Sequence, residues 1–419
     1  MEIRIIKGLT DDTKQIQEAI DKCYSTGGGK VIFSKNVVYR TGLLHIKDNV
    51  ELYFEDNSML KASDNIESFN IAGNKSIDVL VNQPTWENCD YTGAPTKFFL
   101  YAKDAKNISI SGNGMIDGNE EIFYGKVGQY HIDGYFYPRV PMIFFENCEN
   151  VKIHNIQLQR SGFWTTHLVG CKNVDIDSVK IINNLKLANC DGIDPDHCQN
   201  VKIKNCYIEG ADDCIVFKTT SNAKKYGPCE NIEVSNCTLI STSAAIKFGT
   251  ESVSDFKNIY IHDCKIERSN RGISFQLRDE GNIENIKFEN LDIQTRMFSP
   301  IEWWGKGEPI SITAVKRKED KNVGYIKDIV FKNINIKSEN GIFIFGDPSV
   351  NISDIEFSNI NFEIYNESKW EKGIHDLRPS QNYGIMNTGL YYMYKENVND
   401  IKLNNYNIIN NDLNIKLNN

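Results

Sequence analysis

The sequence predicts an all-β protein, a single-stranded parallel β-helix with one capping helix at its N-terminus. Three observations carry this. A nine-residue unit recurs along the chain: NVKIHNIQL from Asn150, NVDIDSVKI from Asn173, NVKIKNCYI from Asn200, NIEVSNCTL from Asn231 and NIYIHDCKI from Asn258. Later copies start at Asn285, Asp328, Asp354 and Asp400. The early copies lie 23 to 31 residues apart, a period that marks a solenoid rather than a sandwich or a doubly wound sheet. Within each copy apolar and polar residues alternate, the strand period. No helical pattern falls between copies, which excludes helical and leucine-rich repeats and leaves stacked parallel strands.

The elements follow in order. Residues 1–30 are expected to cap the coil. Within them DDTKQIQEAIDKC, residues 11–23, places Ile16, Ala19, Ile20 and Cys23 on one helical face. Asp11 or Asp12 suits its start and Gly27–Gly29 its end. The recurring Asn supplies left-handed turns and is expected to form side-chain ladders from coil to coil. Cys206, Cys237 and Cys264 share one repeat position, and Cys148 and Cys171 another. They read as small buried apolar residues; no metal-ligand spacing occurs. Three insertions, 83–100, 119–140 and the loop-rich 366–396, interrupt the repeat and are expected to form walls on one side. Residues 1–419 are otherwise expected to form one elongated domain.

A net charge of −9 excludes non-specific nucleic-acid binding. No apolar run is long enough to span a membrane. MEIRIIKGLTDDT lacks a signal-peptide core, and eleven cysteines is an odd number. Together these predict a reducing cytoplasm; a signal removed earlier would place the protein outside the cell. Oligomeric state leaves no mark in the sequence.

Chemistry concentrates in NCDGIDPDHCQNVKIKNCYIEGADDCIVFK, residues 189–218. Asp191 precedes the pair Asp212-Asp213 by about one repeat, so adjacent coils bring the acids within about one strand spacing, roughly 4.8 Å. Neighbours on a strand face opposite ways, so both acids of the pair serve one cleft only where the backbone bends, as Gly210-Ala211 permits. Clustered carboxylates suit glycoside hydrolysis, one as acid and the others activating water. Crowding them raises one pKa.

Asn189-Cys190-Asp191 followed by Ala211-Asp212-Asp213 resembles glycoside hydrolase family 28, the polygalacturonase and rhamnogalacturonase group. GLTDDTKQIQEAIDKC with GGGKVIF, ISGNGMIDG at 110–118 and SGFWTTHLVGC at 161–171 also resemble segments of that family, over residues 8 to 365. The resemblance implies a right-handed, pectin-lyase-like β-helix and an inverting hydrolase. By it, Asp212 is the general acid, and Asp191 and Asp213 position water. No cofactor or metal is implied. Two elements depart from the pattern. Ser243-Ala244-Ala245 stands where polygalacturonases carry Gly-His-Gly, and RGISFQ places Ser274 and Gln276 where they carry Arg and Lys. The expected substrate is therefore an acidic pectin-like oligo- or polysaccharide, a different uronide or a mixed backbone.

Candidate substrate contacts are His167, His197, Lys247, Arg271, Arg278, Trp303 and Trp304. An arginine holds a carboxylate bidentately, and an exposed tryptophan offers a flat face to a sugar ring. Each has a bland alternative: a turn salt bridge for the cations, packing for the aromatics, a structural hydrogen bond for the histidines. Two other functions share the scaffold. A polysaccharide lyase would use the acids to hold Ca²⁺. A non-catalytic glycan-binding helix would need no acids, and buried carboxylates are costly unless used.

Overall fold

The computed structural model describes residues 1–71, 94–409 and 415–418; residues 83–93 of the first insertion lie outside these. The chain winds as a right-handed coil whose strands stack in parallel into two long sheets. One sheet holds twelve described strands. It includes Ile143–Glu146, Thr166–Val169, Ile193–Asp196, Ile215–Thr219, Ala244–Ser252, Arg271–Leu277 and Ile310–Ala314. The repeat units build the other, as in Glu149–His154, Lys172–Asp177, Gln199–Lys204 and Cys229–Ser235.

Coils stack in strict register. Val151, Val174, Val201, Ile232 and Ile259 form one column. Ile193, Ile215, Ile246, Ile273 and Ile310 form another on the opposite wall. All ten are buried, because the period of two sends alternate side chains inward. Aromatic columns fill the bore: Phe217, Phe248 and Phe275 follow at ring spacings of 4.8 and 4.6 Å. Phe288, Phe331 and Phe357 follow at 4.8 Å each. The ten described cysteines are free and buried; nine line the same core, and Cys190 packs with Ile132 and Leu187.

The repeated Asn marks the bends. Asn150, Asn173, Asn200, Asn231, Asn258 and Asn285 all have φ between 54° and 59°, a left-handed conformation that Asn tolerates better than other side chains with a Cβ. Their amides donate from coil to coil: Asn150 to Asn107 at 2.9 Å, Asn173 to Asn150 at 3.3 Å, Asn200 to Asn173 at 3.3 Å and Asn258 to Asn231 at 3.1 Å. A second ladder runs from Asn405 through Asn359, Asn333 and Asn290 to Asp263.

The capping helix spans Thr13–Ser25, two residues later at each end than the apolar spacing predicts, with Ile16, Ala19, Ile20 and Cys23 buried as expected. Asp11 accepts from the Thr13 N–H at 2.7 Å. Asp12 instead ties the helix to the first coil, accepting from the Arg40 N–H at 2.9 Å. Two insertions contain short antiparallel hairpins, Tyr124–Val127 with Ile132–Gly134 and Ile374–Asp376 with Ile385–Asn387. The last insertion is shorter than its composition suggests. Tyr391–Glu396 rejoins the coil by pairing with Ile342–Gly346, because Tyr392 and Met393 point inward and are buried.

Replacing Asn200 with Ala removes a ladder rung and leaves at φ 59° a residue that tolerates the left-handed region less well than Asn. Asn200→Ala is expected to cost about 1–2 kcal/mol relative to Asn200→Gly, which keeps the turn. Thermal unfolding of the two variants checks this.

Candidate active site

The three acids stand on two adjacent coils. Asp191 precedes the strand Ile193–Asp196; Asp212 and Asp213 occupy the turn between Tyr207–Gly210 and Ile215–Thr219. The turn is the bend that lets neighbouring acids reach one cluster. Gly192 locks the two coils together: its N–H donates to the Asp213 carbonyl at 2.9 Å, and a Cβ there would meet the Cys214 carbonyl at 2.4 Å. One oxygen from each of Asp191, Asp212 and Asp213 lies within 4.8 Å of the others.

The three carboxyls are held differently. Asp213 is 1 % exposed; it accepts from the Lys247 ammonium at 2.7 Å and the Ala244 N–H at 3.1 Å. Asp212 is partly exposed and accepts from the Asn189 N–H at 3.0 Å. Among the described residues no cation pairs with it. Burial, then the charge of Asp213, push its pKa up to about 6. Asp191 is 2 % exposed, with the Lys218 ammonium 3.9 Å from one oxygen and no partner on the other. Burial first, then Asp212 and Asp194, raise it well above the ordinary aspartate range.

Further groups emerge that spacing alone does not reveal. Lys218 donates to Glu251 at 3.2 Å and stands 4.1 Å over the Trp164 ring. Glu251 is thereby held ionised, at about 2. Asp194 is fully buried with neither oxygen partnered, and burial drives its pKa well up. Arg139, also fully buried, donates through Nε to the Gly162 carbonyl at 2.6 Å and through Nη2 to the Ala188 carbonyl. It thus buttresses the segment that leads into Asn189 and Asp191. These residues lie far apart in sequence, and only strand pairing brings them together. Three close carboxylates meet a geometric demand of a divalent cation, but Lys218 and Lys247 already supply two positive charges at the cluster.

The candidate substrate contacts divide. Lys247 lies at the acids. Trp304, half-buried, has its ring 5.6 Å from the Lys247 ammonium. His167 is a buried strut: Nε2 bonds Asp196 at 3.1 Å, and its ring edges onto Trp164 and Phe144. Both ring nitrogens of His197 meet backbone carbonyls, of Gly227 and, at 3.0 Å, of Thr220. Trp303 is 3 % exposed, packs on Ala188 and Ala211, and donates to the Tyr130 carbonyl at 2.9 Å. Arg271 pairs with buried Glu308 at 3.2 Å and donates to the Trp304 and Asp376 carbonyls, both at 3.1 Å. Its guanidinium fastens two loops rather than facing a substrate. Arg278 is fully buried, bonding the carbonyls of Leu277 and Leu377, both at 3.0 Å.

The same contacts raise a wall beside the acids. Trp303 joins Tyr130, whose ring meets that of Trp370 at 5.9 Å, while the His131 and Trp303 rings lie 5.2 Å apart. Loops 119–140, 298–308 and 366–390 therefore interlock.

The model of glycosyl hydrolases family 28 matches residues 60–371. A probable polygalacturonase of Vitis vinifera is 23% identical over 384 residues, 86% of this chain and 73% of that protein. An exopolygalacturonase of Cochliobolus carbonum is 27% identical over a shorter stretch, 52% of this chain and 45% of that protein. Among solved structures, a hyperthermoactive exopolygalacturonase from Thermotoga maritima superposes with a TM-score of 0.68 at 20% identity, covering 96% of this chain and 92% of its own. That likeness establishes the shared fold.

Arg271→Met removes the arginine cation from buried Glu308, leaving it the His375 ring at 3.1 Å and the Lys306 N–H at 2.7 Å, and is expected to lower stability by about 3–5 kcal/mol. Denaturation measures this loss. A substrate-binding arginine would instead raise KM with stability unchanged.

Proposed function

The chain belongs to glycosyl hydrolases family 28, and from that premise we propose that it hydrolyses a uronic-acid-containing, pectin-like oligosaccharide with inversion at the anomeric carbon. The observation that carries this is the unequal support of the acids. Among the described residues Asp212 has no cationic partner, and burial lifts its pKa to about 6; Asp213 is clasped by Lys247 at 2.7 Å. Pairs of carboxyls whose environments differ divide into acid and base.

In the proposed step Asp212 gives its proton to the glycosidic oxygen as the bond from that oxygen to the anomeric carbon breaks. Water attacks the anomeric carbon from the other face. Asp213, aided by Asp191, orients this water and takes its proton. Exchange with solvent returns a proton to Asp212, so each cycle consumes one water. The spacing within 4.8 Å is shorter than the 6.5–9.5 Å usual for a pair of inverting carboxyls. Taken alone it favours a covalent intermediate. Against this, Asp213 is occupied by an ammonium and a backbone N–H, which blunts it as a nucleophile.

The interlocked loops beside Asp191 and Asp212 support cleavage from a chain end, which suits short oligosaccharides in a cytoplasm. Viscosity tests this: the polymer is expected to lose viscosity slowly relative to reducing ends released, whereas a fast fall means internal cutting.

Products read by NMR at early times should carry the inverted anomer; a retained anomer replaces the single displacement with a double one. Unsaturated products absorbing in the ultraviolet would instead mean elimination. Asp212→Asn is expected to lower kcat about 10²–10⁴-fold. Because the acid must be protonated to act, kcat/KM is expected to fall as pH rises through about 6, and a flat profile from pH 5 to 8 contradicts the role of Asp212.

A further inference from the structure

The strand Ile193–Asp196 carries another buried carboxyl next to the three clustered acids. Asp194 is 0 % exposed, and neither of its oxygens has a hydrogen-bond partner. Among the described residues no cation forms an ion pair with it. One oxygen of Asp191 is equally without a partner, and the Asp191 and Asp194 carboxyls lie within hydrogen-bonding reach of each other. Two carboxylates there would only repel, since an ionised carboxylate accepts and never donates. One proton between them gives each carboxyl a partner.

The charges around the pair call for that proton. His167, in register with Asp194, turns Nε2 to Asp196 at 3.1 Å, and burial favours its neutral form. Asp196, two residues along the strand, is served separately by the Thr220 N–H at 2.9 Å and hydroxyl at 2.6 Å. The following coils bring Asp212, Asp213, Lys218, Lys247 and Glu251, and Arg139 acts on Asp191 and Asp212. Asp191, Asp194, Asp212, Asp213 and Glu251 therefore face three cations, so two of the five need a proton for this buried cluster to be neutral. Asp212 keeps one. Asp213 belongs to Lys247 and Glu251 to Lys218, which leaves the other proton to Asp191 and Asp194. Lys218 stands 3.9 Å from Asp191, so Asp191 is the member that ionises and Asp194 the member that holds the proton. Burial pushes the Asp194 carboxyl well above the ordinary range, in agreement.

We infer that Asp194 is a positioning residue for the proposed hydrolysis, donating its O–H to the free oxygen of Asp191 and so fixing, and keeping ionised, a carboxylate that helps to orient the attacking water. The inference rests on that reading and adds a residue to it. The proton stays on Asp194 through the cycle, and the one taken from water still leaves through Asp213.

Asp194→Leu removes the donor. It is expected to lower kcat on a galacturonic-acid trisaccharide about 10- to 100-fold, with KM nearly unchanged. Without the donor Asp191 ionises less readily, so the acidic limb of kcat/KM moves to higher pH. Asp194→Asn, whose amide still donates, should recover most of kcat and return the limb. Wild-type kcat and limb in Asp194→Leu, or no recovery in Asp194→Asn, overturns the role. Infrared difference spectra of wild type minus Asp194→Asn test the proton without turnover, at about pH 8, above the Asp212 value of about 6. The C=O stretch of a protonated carboxylic acid upholds the inference, also where Asp194→Leu does not fold; its absence overturns it. If wild type cleaves no uronide, the proposed hydrolysis fails separately, and the same spectra still decide whether Asp194 holds the proton.

Discussion

Strand register is the constraint on which everything else depends. Coils repeat at about the 4.8 Å spacing of a parallel sheet, and each column holds one kind of side chain. The isoleucine column from Ile193 to Ile310 is fixed because a slip of one residue would send every apolar side chain outward. The same register fixes the opposite face. Once Ile215 lies over Ile193 and Ile246 over Ile215, Lys218 must stand beside Asp196 and Lys247 beside Val216. The acids and their ammonium partners follow from the packing of the core beneath them.

The site shows what such a scaffold offers to chemistry. A rigid wall lets like charges be forced together, and their mutual repulsion is contained by lysines one coil away. Burial raises Asp212 and Asp191 together, yet the lysines reach the acids unequally, Lys247 on Asp213 and Lys218 near Asp191. That inequality places otherwise identical side chains in distinct environments. Loops supply what the coil lacks, a wall beside the acids, and buried pairs such as Arg271 with Glu308 fasten that wall to the coil.

Much of this was legible in the sequence, for reasons that can be named. The Asn-led repeat exposed the coil because Asn is needed wherever the bend turns left-handed, and the period of two showed which side chains fill the bore. Asp191 and the Asp212-Asp213 pair were legible because their separation matches one coil. What stayed hidden depends on partners in distant segments. Nothing near Arg271 announces Glu308, Trp304 or Asp376, so a loop fastener looked like a substrate clamp. His167 and His197 looked available because their partners, Asp196 and the Thr220 carbonyl, are set by folding. Lys218 and Arg139 matter only through neighbours placed by pairing. Tyr391–Glu396 reads as part of the preceding insertion because its alternation is short and rich in tyrosine.

The central claim is that the Asp212 carboxyl keeps its proton near neutrality. Following the Asp212 carboxyl carbon by NMR as pH is varied measures this directly. A resonance titrating near 6 that is missing from Asp212→Asn is the predicted result. A titration near 3.9, the ordinary aspartate value, would contradict it.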